Sequence, residues 1–202
     1  MSIDNIRNEV VLASSNQGKI REFQQLLTTL NWTIRPQSDF NTPDAKETGL
    51  SFVENAIIKA RNASAYSGLP SLADDSGLEV DALKGAPGIY SARYSGPQND
   101  DQANNKKLLQ ALSEIVPEER TARFQCVLVF MRHQQDPTPL ICQSSWEGYI
   151  VDTPKGNNGF GYDPVFYIPE LECCSAQLSA EQKNKLSHRA KAITILLREL
   201  GD

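Results

Sequence analysis

Two adjacent acids, Asp74 and Asp75, follow a short apolar run and precede Ser76-Gly77. Ionised carboxylates side by side repel each other unless cations neutralise them. Mg²⁺ prefers carboxylates, waters and phosphate oxygens as ligands, and a carboxylate in such a site can also take a proton from an attacking water. The alternative is an aspartate-rich turn closed by glycine. Because successive side chains of a strand point to opposite faces, the pattern predicts different roles for the two acids.

A second candidate group joins an apolar run to a helical pattern. It consists of Ser14, Ser15, Asn16, Gln17, Gly18 and Lys19. Backbone N–H groups at a helix start attract anions, and Lys19 adds a positive charge, which favours phosphate binding. The segment differs from the P-loop, since it lacks the first glycine and the hydroxyl after the lysine. An ordinary strand-to-helix turn with a solvated lysine is the alternative.

A glycine-dense stretch, 156–164, surrounds two aromatic residues and an acid. Phe160 and Tyr162 offer surfaces on which a nucleotide base can stack, an interaction worth about 1–3 kcal/mol per base. Asp163 is suited to accept hydrogen bonds from a ring N–H. The alternative is a tight turn that leads into a strand beginning at Pro164.

Polar residues near the C-terminus form the last candidate group, together with Lys183. Ser187 is a suitable N-cap for the final helix and would leave His188 and Arg189 in its first turn. Cations there oppose the helix dipole, which indicates an anionic or acceptor-rich ligand, the alternative being a solvated pair.

Hydrophobic periodicity indicates which elements must position these residues. The predicted strands span 9–13, 31–35, 72–73, 78–83, 122–131 and 140–151. The predicted helices span 19–30, 52–66 and 101–115, followed by a final helix whose apolar face includes Leu186, Ala190, Ile193, Leu197 and Leu200. Ser51 and Glu54 form a capping box before the second helix. On that helix Asn55 and Lys59 share a face, which meets either phosphates or water. The pattern predicts one α/β unit with a mixed sheet, in which 122–151 form an antiparallel hairpin.

Composition narrows the class of protein. The chain has 202 residues, of which 40% are hydrophobic and 22% charged, and a formal net charge of −5. These values are ordinary for a globular protein and predict no direct nucleic-acid binding and no membrane partner. The four cysteines lack C-x-x-C spacing and no signal peptide is visible, so we expect a reduced cytoplasmic protein without disulfides or zinc.

In combination, these motifs resemble those of the non-canonical purine nucleoside triphosphate pyrophosphatases, also called inosine/xanthosine triphosphate pyrophosphatases, and most closely their bacterial branch. The matching segments are VVLASSNQGKIREF, ETGLSFVENAIIKARNAS, LADDSGLEVDALKGAPGIYSARYSG, RFQCVLVF, GNNGFGYDPVF and KNKLSHRAKA. The resemblance implies a single domain over 1–202 with an elongated mixed β-sheet flanked by helices. It also implies two lobes around a central nucleotide-binding cleft, and a homodimer.

The resemblance further implies roles for individual residues. Ser14 to Lys19 would hold the triphosphate, and Ser76 would contact substrate. Glu47 and Asp75 would bind Mg²⁺ with Asp74 assisting, and Asp75 would accept the proton of the attacking water. The residues that would line the nucleoside pocket are Phe160, Gly161, Tyr162, Asp163, Lys183, His188 and Arg189.

The implied reaction is Mg²⁺-dependent hydrolysis of inosine and xanthosine triphosphates, in ribo or deoxyribo form, to the monophosphate and pyrophosphate. Such an enzyme cleanses the nucleotide pool and prevents misincorporation into DNA and RNA. Lys46 departs from the family pattern, since relatives often carry further acid beside the position of Glu47. Two alternatives stay open: a hydrolase of modified pyrimidine or standard triphosphates, and a nucleotide sensor without turnover.

Overall fold

The computed structural model describes residues 9–28, 30 and 32–201. Its strands are β1 Glu9–Leu12, β2 Thr33–Pro36, β3 Ser71–Val80, β4 Thr121–Met131, β5 Leu140–Ile150, β6 Phe166–Ile168 and β7 Cys173–Cys174. Its α-helices are α1 Gln17–Leu26, α2 Phe52–Ser67, α3 Asp101–Ala111, α4 Ala180–Leu186 and α5 His188–Leu200. Among the described residues no helix is long and apolar enough to cross a membrane. Asn31, which the sequence assigns to the second strand, lies outside the described residues.

The strands form one mixed sheet in the order β2-β1-β3-β4-β5-β6-β7. β1 pairs in parallel with β2 and β3, whereas β6 is antiparallel to both β5 and β7. Parallel neighbours need crossover connections, and α1 and α2 supply them within this part of the chain. The predicted α/β fold with a mixed sheet and flanking helices is confirmed.

β3 is a single strand, whereas the sequence predicts two strands separated by a turn at the two acids. That prediction is wrong because Lys19 pairs with Asp74 and Lys59 pairs with Asp75, so both carboxylates are neutralised within the sheet. The predicted strand end at Leu83 is also wrong, since residues 81–83 form a 3₁₀ turn after β3.

Two helices end earlier than the sequence predicts. α1 ends at Leu26 rather than at residue 30, and α3 ends at Ala111 rather than at residue 115. Leu27 and Leu112 lie in the turns that follow these helices, and their side chains are still buried. The apolar stripe therefore continues past the point where the helical hydrogen bonds stop, and periodicity alone places the end too late.

The predicted final helix is in fact two helices, α4 and α5. Ser187 has an extended backbone conformation between them, which interrupts the helical hydrogen bonding. Leu186 consequently belongs to α4 and is 38% exposed, so its assignment to the apolar face of the last helix is wrong. His188 and Arg189 do begin α5, as the capping argument predicts.

The described residues form two compact units, the first drawn from 1–75, 126–144 and 189–202 and the second from 76–125 and 145–188. In the first unit, β1 alternates between two apolar clusters, which is the period that a strand buried on both faces requires. One cluster includes Val10, Leu12, Phe23, Leu128 and Ile193. The other includes Val11, Ala56, Ala60, Val127 and Val129. The second unit has its own cluster, which includes Leu78, Leu108, Phe124, Trp146 and Phe166.

Candidate active site

In the first unit, a lysine bridges two carboxylates. Lys59 Nζ on α2 lies 2.5 Å from Asp75 Oδ1 on β3 and 3.0 Å from Glu47 Oε1 in the segment before α2. The side chains of Lys59 and Asp75 are only 15% and 11% exposed. Glu47 and Asp75, which the family resemblance assigns to the metal, therefore converge on one point that already holds a positive charge.

Burial and charge pairing oppose each other in this cluster. Burial raises the pKa of Asp75, and Lys59 partly offsets that rise. Burial alone would lower the pKa of Lys59, but attraction to Asp75 and Glu47 outweighs it and raises the pKa. Lys59 therefore stays protonated, while Asp75 takes up a proton more readily than an ordinary aspartate does.

Asp74 has a different set of partners, as strand alternation predicts. Its Oδ2 lies 2.7 Å from Lys19 Nζ and 3.3 Å from the Arg189 guanidinium, and Cys126 Sγ donates to its Oδ1 at 3.4 Å. Burial alone would raise the pKa of Asp74, but Lys19 and Arg189 hold it far below its usual range. Arg189 is also paired with Glu22 on α1. Asp74 thus holds Lys19 and Arg189 in place.

The predicted phosphate segment forms the start of α1. Asn16 is the N-cap, and its side chain accepts the Lys19 N–H at 3.0 Å. Ser14 Oγ accepts the Asn16 N–H at 3.2 Å, and Ser15 Oγ donates to Asp44 at 2.7 Å. Gln17 and Gly18 are the first two helical residues, whose N–H groups lack partners inside the helix by geometry.

In the second unit, Asp163 ties its own loop together. Its Oδ1 accepts the Ser175 hydroxyl at 2.9 Å, and its Oδ2 accepts the Phe160 N–H at 2.9 Å and the Lys183 ammonium. Lys183 Nζ also lies 5.0 Å from the centre of the Phe160 ring, within cation–π range. Asp163 is 2% exposed, and these partners all lie within its own unit, so it stabilises the conformation of the loop.

The glycines of this loop are required by its path. A Cβ at Gly159, where φ is +76°, would lie 2.0 Å from Asp163 Oδ2. Gly161 also has a positive φ, +63°. Tyr162 belongs to the core and donates its hydroxyl to the Ser91 carbonyl at 2.8 Å, whereas Phe160 is half-buried. Of the two aromatic residues, Phe160 is the one with surface left for a base.

The remaining predicted site residues of this unit are Ser76 and His188. Ser76 is half-buried on β3, directly after Asp75. His188, the first residue of α5, is 5% exposed and stacks on Phe124 with ring centres 4.9 Å apart and planes 16° apart.

Sequence reasoning missed several partners of the predicted residues. Lys59 was placed on a polar helix face with Asn55 but not assigned to Asp75, and nothing local indicated that Glu22 would pair with Arg189. The first turn of α3 also holds the glycine loop, since Asp101 accepts the Gly161 N–H at 2.7 Å. These pairings join residues far apart in the chain, which periodicity does not report.

The donor set of the first unit fits a hard divalent cation. Glu47 and Asp75 offer carboxylate oxygens, the ligand type that Mg²⁺ takes in proteins. No group of three or more His, Cys, Asp or Glu side chains poised to hold a metal occurs in the described ranges. Two carboxylates leave the other positions to water and phosphate oxygens, which is the usual arrangement for Mg²⁺.

Comparisons with known proteins identify relatives that match nearly the whole chain. The dITP/XTP pyrophosphatase of Thioalkalivibrio sulfidiphilus is 58% identical over 95% of this chain and 98% of its own length. That of Vibrio cholerae is 54% identical over 96% of this chain and 97% of its own. The structure of a HAM1 protein from Coxiella burnetii superposes with a TM-score of 0.89 and 48% identity, covering 95% and 98% of the two chains.

A structure of the Staphylococcus aureus Ham1 protein matches with a TM-score of 0.85 and 43% identity, over 95% of this chain and 97% of that one. The Ham1 family model matches residues 10–199. The resemblance drawn from the motifs is thereby confirmed, and the chain belongs to the Ham1 family.

Proposed function

We propose that this protein hydrolyses non-standard purine nucleoside triphosphates, namely those of inosine and xanthosine in ribo or deoxyribo form, to the monophosphate and pyrophosphate in the presence of Mg²⁺. The observation that carries the proposal is the partly buried Glu47–Lys59–Asp75 cluster, which combines a candidate base with two metal-type ligands. Support also comes from relatives that cover nearly the whole chain and are named dITP/XTP pyrophosphatases.

In the proposed mechanism, Asp75 accepts the proton of a water that attacks the α-phosphorus. Burial raises the pKa of Asp75, and a base is more effective when its pKa lies closer to the working pH. Glu47 and Asp75 would hold the metal. When bound, Mg²⁺ supplies positive charge to the phosphate oxygens and makes water more acidic. In the absence of nucleotide, Lys59 offsets part of the negative charge of the two carboxylates.

The leaving pyrophosphate needs positive charge on its oxygens. Lys19 and the backbone N–H groups of Gln17 and Gly18 supply it in this proposal, because groups fixed in advance need not reorganise during the reaction. Asp74 keeps the Lys19 ammonium near the start of α1, at 2.7 Å. Ser14, Ser15 and Asn16 complete the segment assigned to the triphosphate.

Purine recognition is assigned to the second unit. Phe160 provides the stacking surface, with Gly161, Tyr162 and Asp163 forming its loop. The side chains of Ser76, Lys183 and His188 complete the set proposed for this unit, and Arg189 of the first unit is a further proposed substrate-binding residue. Donors in such a site suit the 6-oxo group of hypoxanthine or xanthine. The amino group of adenine would leave them unpaired, at about 1–3 kcal/mol each.

We further propose that the protein acts in the cytoplasm as a homodimer, without direct binding to nucleic acid. There it would remove damaged purine nucleotides before polymerases use them. The test is a panel of inosine, xanthosine, guanosine, adenosine and modified pyrimidine triphosphates, assayed for pyrophosphate release with and without Mg²⁺. We expect turnover of the first two, at least about tenfold faster than of the others in kcat/KM, and loss of turnover with EDTA. Binding without pyrophosphate release would instead identify a sensor, and preference for pyrimidines a different hydrolase.

A further inference from the structure

Two residues near the start of α3 hold the backbone of a single glycine in the 160–163 loop. Asp101 Oδ2 accepts the Gly161 N–H at 2.7 Å. Asn105 Nδ2 donates to the Gly161 carbonyl at 2.8 Å. Asp101 and Asn105 are four residues apart and therefore share one face of the helix. Both polar groups of the Gly161 backbone are thus held by one face of α3.

Asp101 and Asn105, which we call the Gly161 clamp, are also hydrogen-bonded to each other. Asn105 Nδ2 also donates to the Asp101 carbonyl at 2.8 Å, and the Asn105 side chain is buried. Its Oδ1 has no hydrogen-bond partner in the part of the chain that the structure describes. Burying an unpaired acceptor is unfavourable, so the two bonds from Nδ2 must offset that cost. Rotating the Asn105 amide by 180° would bring its oxygen close to the Asp101 and Gly161 carbonyl oxygens, which repel it. The orientation of the amide is therefore fixed.

Asp101 is available for this contact because another residue caps the helix. The side chain of Asp100 accepts the N–H groups of Gln102 and Ala103 at 2.9 and 3.1 Å. Asp101 lies one position later and is exposed, and its carboxylate reaches the loop instead. The chain therefore offers two adjacent aspartates of which one serves helix α3 and the other serves the loop.

Gly161 matters because its neighbours are fixed by other means. Tyr162 is anchored to the Ser91 carbonyl, and the Phe160 N–H is bonded to Asp163. Gly161 lies between them with a φ of +63°. A glycine can adopt several other backbone conformations at little cost, so this one must be held by contacts. Because Gly161 joins Phe160 to the anchored Tyr162, its backbone conformation sets where the Phe160 backbone lies relative to Tyr162.

We propose that Asp101 and Asn105 are positioning residues for purine recognition: by fixing Gly161 they hold Phe160 in the orientation that meets the base. This inference rests on the proposed function, in which Phe160 stacks on the purine. It assigns to the clamp an effect on base affinity and base selectivity, and no effect on the phosphate chain or on the chemical step.

The experiment compares two adjacent substitutions, Asp101→Ala and Asp100→Ala, with Asp101→Asn as the conservative variant. KM and kcat are measured for inosine triphosphate, and inorganic tripolyphosphate serves as a competitor that carries no base. Asp101→Ala is expected to raise KM about fivefold, the effect of one lost hydrogen bond. The kcat and the inhibition constant of tripolyphosphate should stay within about twofold of the parent.

Asp101→Asn should largely restore KM, because its amide oxygen still accepts the Gly161 N–H. Asp100→Ala should lower the melting temperature through loss of the cap while leaving KM near the parent value. The inference is overturned if both alanine variants raise KM equally, or if KM and the tripolyphosphate constant rise together, since either result means general damage to the fold.

A further variant, Phe160→Ala, separates this inference from the proposed function. It should raise KM more than Asp101→Ala does and leave the tripolyphosphate constant unchanged. If Phe160→Ala raises KM but Asp101→Ala does not, the positioning role is wrong while the stacking role stands. If Phe160→Ala has no effect on KM, the loop does not bind the base and both the stacking role and the positioning role fail, whereas the proposed hydrolysis itself is decided by the substrate panel.

Discussion

The acids of β3 show how a central strand can carry adjacent charges. Asp74 is paired with Lys19 and Arg189, and Asp75 with Lys59, so each carboxylate has a cation on its own side of the strand. Removing an ion from water costs several kcal/mol, which direct pairing and hydrogen bonds must offset. Charges held at that cost are suited to act on a polyanionic substrate, because their positions are already set.

Asp75→Asn tests the assignment of the base. The amide keeps the size and one acceptor oxygen of the aspartate but cannot accept the proton, so turnover should fall by about 10²–10⁴-fold or more. Nucleotide affinity, measured by calorimetry, should change far less than pyrophosphate release. Near-normal turnover in this variant would show that another group accepts the proton.

Lys59→Met tests the charge balance of the same cluster. The variant removes the cation that both carboxylates contact, and losing one partner of a largely buried pair should lower the free energy of unfolding by about 3–5 kcal/mol. Mg²⁺ should recover part of that loss by binding the two carboxylates, so it should raise the melting temperature of Lys59→Met more than that of the parent.

The matched control is Lys185→Met. Lys185 pairs with Glu181 on the surface of α4, where both side chains are mostly exposed. Its loss should change stability by no more than about 0.5 kcal/mol. Equal responses of the two variants to Mg²⁺ would argue against a metal site at Glu47 and Asp75.

At the scale of the element, the start of α2 sets the position of Glu47 relative to Lys59. Ser51 caps the helix by accepting the Glu54 N–H, and the Glu54 carboxylate accepts the Leu50 N–H at 2.9 Å and the Ser51 hydroxyl at 2.7 Å. The Gly49 N–H donates to Asn55 Oδ1 at 2.9 Å. The segment that carries Glu47 is therefore tied to the first turn of the helix that carries Lys59.

Ser51→Ala removes the cap and should lower the free energy of unfolding by about 1 kcal/mol. Urea denaturation measures this effect. Ser113→Ala, in the exposed turn after α3, is the control and should stay within about 0.5 kcal/mol of the parent. A loss for Ser51→Ala no larger than for Ser113→Ala would mean that the cap does not stabilise α2.

The end of β3 provides a pH-dependent contact. Hydrogen bonds from Arg123 and Thr121 lower the pKa of Asp81 to about 2. In the unfolded chain the pKa of an aspartate is about 3.9, so the stabilisation is present above that pH and is lost as pH falls towards 2. Asp81→Asn should therefore flatten the decline of the urea midpoint between about pH 4 and pH 2.

Arg123→Gln should flatten the same interval, because it removes the cation that Asp81 contacts at 2.7 and 2.8 Å. If both variants keep the parent's full decline over this interval, other carboxylates account for the acid sensitivity.

At the scale of the whole molecule, each of the two compact units has its own apolar core and its own group of predicted site residues. The first contains the triphosphate and metal residues, including Lys19, Glu47 and Asp75. The second contains the loop of Phe160 and Asp163 with Lys183 and His188. In the proposed function, the first group acts on the phosphates and most of the base-binding residues, apart from Arg189, belong to the second, so variants in the two groups can be compared.

The predicted homodimer belongs to this scale. Sedimentation equilibrium at micromolar concentration should give twice the mass of one chain. A mass equal to that of one chain would contradict the prediction.

The sequence alone determined the mixed α/β fold, the starts of α2 and α3, and the residue types of the predicted site. Turn chemistry, capping and hydrophobic period are local, so the Ser51 cap and the glycine loop at 156–164 can be predicted from neighbouring residues. The family resemblance rested on the same short segments. Helix ends were misjudged because burial of Leu27 and Leu112 continues the apolar period beyond the last helical turn.

Only the tertiary structure decided which charged side chains form ion pairs with each other. Arg189 meets Asp74, 115 positions away, and Glu22, 167 positions away, while Lys59 meets Asp75 across 16. Gly161 is held by Asp101 across 60 positions. Such pairings follow from how strands and helices pack, and no local pattern encodes them. They also explain why the adjacent acids remain in β3: a sequence pattern with two aspartates before glycine indicates a turn, and only distant cations make a strand possible.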